Sequence, residues 1–224
     1  MPAPHWIHSA ATRWACTGIA LAAAACAPLS PKPAKTSEAP PVAAACPPAL
    51  AALASCLAGQ DSAGAYYLIA MPHQWNGHLV LHAHGGPALG APRPERSAAD
   101  LERWAIMVKA GYAWAGSTFR QGGVEVRAAA EDTERLRQIF VGHVAQPRRT
   151  ILHGQSWGAS VAARGAEMFT STTQGQRPYD AVLLTSGVLA GGSRSYDFRT
   201  DLRVVYQYLC NNHPRPTEAQ YALN

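Results

Sequence analysis

The chain has 224 residues, of which 48% are hydrophobic and 15% charged. That is enough material for one domain with a sizeable core, and the composition excludes a disordered, collagen-like or coiled-coil chain. Nineteen basic against fourteen acidic side chains leave a net charge of +5. No run of Lys or Arg is longer than Arg148-Arg149, so the charge forms no footprint for nucleic acid.

Before Asp61 the only charged side chains are Arg13, Lys32, Lys35 and Glu38. Trp14 to Ala25 is small and apolar, and too short to cross a ~30 Å hydrocarbon layer as a helix. A basic start, a short apolar run and small residues at its end predict an export signal over residues 1–26. The Pro/Ala-rich stretch 27–45 predicts an extended linker. Leu21-Ala-Ala-Ala-Ala-Cys26 resembles a bacterial lipoprotein box, which implies a lipidated Cys26 and a periplasmic or outer-membrane-anchored protein. Leu21 stands two places early for that box, and ordinary cleavage at a small-residue site is the other reading. After export, Cys46 and Cys56, with nine residues between them, form a plausible local disulfide; two buried thiols are the alternative. Cys210 is left over.

From Ala65 short apolar runs alternate with amphipathic segments. Tyr66–Met71 and His78–His84 read as strands around a Trp75-Asn76-Gly77 turn, predicting an antiparallel edge pair. Ser97–Ala110 reads as a helix capped by Ser97 with Asp100, burying Leu101, Trp104, Ala105 and Val108, and ended by Gly111. Tyr112–Phe119 is strand-like. Ala128–Val144 places Leu136, Ile139, Phe140, His143 and Val144 on one stripe, with Glu131, Asp132 and Glu134 on the wet face, and Pro147 stops it. Thr150–His153 is a brief strand, Ser156–Met168 a helix, Ala181–Ser186 a buried strand and Asp201–Cys210 a helix. The alternation predicts an α/β fold, a mostly parallel sheet with helices on both faces.

Gly154-Gln155-Ser156-Trp157-Gly158 follows one of these strands and opens a helix, the context a nucleophile elbow needs. A serine on so sharp a turn projects its hydroxyl above the sheet. Close packing of strand and helix leaves no room for side chains two residues either side. The Trp157 backbone N–H, at a helix N-terminus, can receive the oxyanion formed when Ser156 attacks a carbonyl. His84-Gly85-Gly86-Pro87 ends an earlier strand, where the bare backbone at Gly86 can supply a second donor. Together, the region from Tyr66 to Ser186 resembles the α/β-hydrolase superfamily. The resemblance implies that Ser156 is the nucleophile, that Gly86 and Trp157 form the oxyanion hole, and that residues 46–224 are the N-terminal part of a catalytic domain. It implies an ester or peptide substrate cleaved through an acyl-enzyme, with no cofactor and no metal.

The other polar residues carry plainer readings. His82 and His84 share one side of a strand as metal ligands do, but packing under the glycine turn accounts for them as well. His153 reads as a hydrogen-bonded core histidine, and Gln155 as a residue facing the pocket. A serine nucleophile also needs a base and a carboxylate. In the superfamily these follow the serine, whereas here 68 residues follow Ser156. Asp201 reads as a helix cap and His213 as a loop residue, and the pair is a weak candidate for completing a triad. The sequence is therefore read as stopping before the Asp and His strands, with activity crippled. A non-catalytic binding protein on a degenerate scaffold and a prolyl-aminopeptidase-like peptidase remain alternatives.

Overall fold

The computed structural model describes residues 36–86, 88–123 and 125–211. The predicted signal and Cys26 lie outside them. Among the described residues seven strands form one sheet: β1 (Val42–Ala44), β2 (Ala54–Gln60), β3 (Tyr66–Pro72), β4 (His78–Ala83), β5 (Ala113–Ser117), β6 (Arg149–Gln155) and β7 (Ala181–Thr185). Their order is β1-β2-β3-β5-β4-β6-β7. Strands β5, β4, β6 and β7 are mutually parallel, while β1, β2 and β3 add antiparallel pairings.

The predicted hairpin is corrected here: β3 and β4 are not neighbours, because β5 lies between them. The turn's own polar groups show why. Asn76 N–H donates to the Gly111 carbonyl just before β5, and the Gly77 carbonyl accepts from Arg148 just before β6. The turn is fastened to both flanking strands. Strand β4 is buried on both faces from Leu79 to Ala83, as a central parallel strand is.

Helices α1 (Glu95–Arg103) and α2 (Ala105–Lys109) cover one face, where Val80, Leu101, Val108 and Trp114 are buried together. Helices α3 (Val126–Ile139) and α4 (Trp157–Met168) cover the other, over Leu79, Leu81, Leu136 and Leu152. The single helix predicted over 97–110 is two, broken at Trp104, and Ser97 does not cap it. The helix starts two residues earlier, after Pro94, leaving Ser97 buried in its first turn. Helix α3 runs into a π turn, Phe140–Val144, before Pro147. The wider turn rotates His143 off the apolar stripe to lie 2.8 Å from the Glu38 carbonyl.

Two further expectations change. Asp132 and Glu134 do not face water, being 0% and 6% exposed. Asp132 accepts from Arg120 and Arg135, and Glu134 from Arg137 and the Tyr179 hydroxyl. Arg135 also reaches Asp61 and Glu38, so the segment predicted as a linker is tied down from Glu38 and ends in β1. Strand β7, predicted buried, is an edge strand with Val182 and Leu183 41% and 49% exposed. The last helix among the described residues, α5 (Gly191–Cys210), is longer than predicted and exposes Tyr196, Phe198, Tyr208 and Leu209. Asp201 lies in its middle, so it caps nothing. No helix among the described residues is long and apolar enough to cross a membrane.

Candidate active site

Strands β4 and β6 are parallel and in register, with Ala83 opposite Gly154. Both therefore release their chains at the same edge of the sheet. One carries the glycine turn and the other the elbow, and they touch. A Cβ at Gly85 would lie 2.7 Å from the Gln155 backbone oxygen and 2.8 Å from its Oε1. Gln155 thus lines the turn.

Ser156 has φ 56° and ψ −122°, a region that costs a residue with a Cβ roughly 1–3 kcal/mol. The surroundings impose it. Ser156 N–H donates to the Thr185 carbonyl at 2.9 Å, its carbonyl accepts from Ala159 N–H at 3.1 Å, and Ser160 Oγ donates to the Val188 carbonyl in the loop after β7. A Cβ at Gly154 would fall on the Gly158 carbonyl, and one at Gly158 on the Ala83 and His84 carbonyls. Only glycine lets α4 pack this closely across β6 and β4. Trp157 opens α4, so its N–H belongs to the first-turn amides that lack a helical partner, at the positive end of the helix. Gly86 has φ +73° and open space around its Cβ direction. The structure thus brings Ser156, Trp157 and the glycine turn to one place.

The histidines form a layer beneath. His82 and His153 are buried with Nδ1 atoms 2.9 Å apart, one ring donating and the other accepting. His82 also stacks on Trp114, and Trp104 meets His153 edge-on. His84 stacks on Phe119 with ring centroids 4.3 Å apart. No group of three or more His, Cys, Asp or Glu among the described residues is placed to hold a metal ion. Burial pushes His153 down to about 4 and His82 well below the ordinary imidazole value. Both rings are therefore neutral in the fold, while the unfolded chain binds protons near pH 6.5. Their stabilisation is complete above pH 6.5 and is lost as pH falls towards 4. For His153 alone the loss is roughly 2 kcal/mol by pH 5. Urea denaturation at pH 7.5 and pH 5 should show it; equal midpoints at the two values contradict it.

Among the remaining candidates, Cys46 and Cys56 are joined by a disulfide, and Cys210 carries an exposed thiol on α5. Asp201 is exposed, and His213 lies outside the described residues. Sequence reasoning missed Arg96, whose Nη2 donates to the Gly85 carbonyl at 2.6 Å. Nothing in its spacing announces that contact, since it is made across a loop from the start of α1.

No protein-family model matches the chain, and neither does any curated protein. Similar solved structures include an esterase from the bacterial hormone-sensitive lipase family, 19% identical over 60% of this chain at a TM-score of 0.46. Esterase B from Lactobacillus rhamnosis is 16% identical over 55% at 0.43. A thermostable carboxyl esterase from Bacillus coagulans is 19% identical over 59% at 0.40. The match spans 44% of the length of each of these structures.

Proposed function

We propose that the chain carries the nucleophile and oxyanion hole of an exported serine hydrolase of the α/β-hydrolase type, acting on an ester or amide. The observation that carries this reading is the strained backbone of Ser156, held at the end of β6 beside the glycine turn that ends β4. In the reaction, Ser156 Oγ forms a bond to the substrate carbonyl carbon, and the carbonyl electron pair moves onto oxygen. The N–H groups of Gly86 and Trp157 hold that charge. The hydroxyl proton passes to a general base and then to the leaving alkoxide or amine as its bond to carbon breaks. Water repeats the sequence to release the acid. The disulfide between Cys46 and Cys56 supports export, because such bonds persist in oxidising compartments.

A fluorophosphonate probe tests the reading. A single adduct on the peptide containing Ser156, abolished in Ser156→Ala, is the expected result. No adduct on Ser156 in the full-length protein, or undiminished labelling of the variant, overturns it.

A further inference from the structure

An oxyanion donor works only if its N–H points at the reacting carbonyl, and the turn that would supply it here is built on two glycines. Gly85 and Gly86 both lack a Cβ, and Gly86 already sits at φ +73°. A peptide between two glycines can rotate about its flanking bonds at little steric cost. Rotated by half a turn, the Gly85–Gly86 unit presents its carbonyl oxygen where its N–H had been, and a negative oxygen there repels the oxyanion it should hold.

One side chain opposes that rotation. Arg96 Nη2 donates to the Gly85 carbonyl at 2.6 Å, and Arg96 Nε donates to Asp100 Oδ2 at 3.1 Å. Both are on α1, one turn apart, so the guanidinium is braced on a rigid element packed against the sheet. The same Nη2 lies 3.3 Å from Nδ1 of the buried His84. On the other side of Gly85, the Gln155 oxygens leave no space for a Cβ. The peptide unit is planar and trans, so fixing its carbonyl towards Arg96 fixes the Gly86 N–H on the opposite side.

We infer that Arg96, braced by Asp100, is a positioning residue that locks the Gly85–Gly86 peptide with its N–H in the donor orientation. The inference rests on the hydrolase reading for its purpose, but not for its first test. The sequence contains three Gly–Gly pairs, 85–86, 122–123 and 191–192. Protein labelled with carbonyl-13C,15N glycine therefore gives three amide–carbonyl correlations, and Gly86→Ala removes the one that belongs to the turn. In Arg96→Ala that correlation shifts or splits in two, while the other two stay in place. Arg96→Lys keeps the charge but cannot make both contacts, so it shows the same change to a smaller degree and carries the test if the alanine variant does not fold. An unmoved turn correlation in a folded variant overturns the lock, whatever the probe does.

The second arm reads chemistry. Fluorophosphonate labelling of Ser156 should slow by about 10- to 100-fold in Arg96→Ala, judged against the loss seen when one oxyanion donor is removed. The loss should fall on the maximal labelling rate and leave the probe's half-saturating concentration unchanged, a split that mere loosening of the fold does not produce. Unchanged labelling in a folded variant overturns the role. A full-length wild-type protein that never labels at Ser156 fails the hydrolase reading instead, and the spectra still decide the lock.

Discussion

Gly158→Ala is expected to destabilise the fold by about 3 kcal/mol or more, the upper end of what overpacking costs. The added Cβ would fall on the carbonyl oxygens of Ala83 and His84, both backbone atoms at the end of central strand β4. Neither can rotate away, so α4 must move off the sheet, taking Ser156 and Trp157 with it. Gly165→Ala, two turns further along the same helix, has the opposite sign. Its Cβ would meet Leu152 Cδ1 at 3.6 Å and Ala130 Cβ at 4.0 Å, ordinary van der Waals distances. Replacing a helical glycine under those conditions stabilises by up to about 1 kcal/mol. Urea denaturation of the two variants measures both. A mild Gly158→Ala, equal in cost to an average surface change, contradicts the close approach on which the elbow depends.

Asp132→Ala is expected to cost about 3–5 kcal/mol, the range for removing one partner of a buried ion pair. Asp132 is fully buried and accepts from the Arg120 backbone N–H, the Arg120 guanidinium and the Arg135 guanidinium at 2.7 Å. Arg120 follows β5, and Arg135 also binds Asp61 before β3 and Glu38 near the start of the described chain. The carboxylate thus ties α3 to the segment after β5 and braces Arg135, which carries the link on to Asp61 and Glu38; its loss leaves the two guanidiniums without the buried anion between them. Glu167→Ala is the control. Its pair with Arg164 is exposed on α4, and exposed pairs contribute about 0–1 kcal/mol. Comparable losses in the two variants contradict the distinction.

The elbow was legible in the sequence because its requirements are local. A strand, a tight turn and a helix occupy consecutive residues, and the two glycines of Gly154-Gln155-Ser156-Trp157-Gly158 answer a steric demand within that segment. Even there the carbonyls that Gly158 avoids, those of Ala83 and His84, come from another part of the chain. Periodicity located the helices but misplaced their ends where a proline or a wider turn intervened, at Pro94 and at Phe140–Val144. It also took Asp132 and Glu134 for a solvated face. A charge pattern on one helix cannot show that Arg120, from beyond β5, and the Tyr179 hydroxyl meet it.

By itself the sequence determined the α/β class, the strand–elbow–helix around Ser156 and the glycine turn after β4. Each depends on neighbours in the chain and on the preference of residue types for strand, turn or helix. Only the tertiary structure decided that β5 separates β3 from β4, that His82 pairs with His153, and that Arg96 holds Gly85. Those outcomes are set by which strands compete for the central positions and by side chains distant in sequence meeting in space, and no local spacing encodes either.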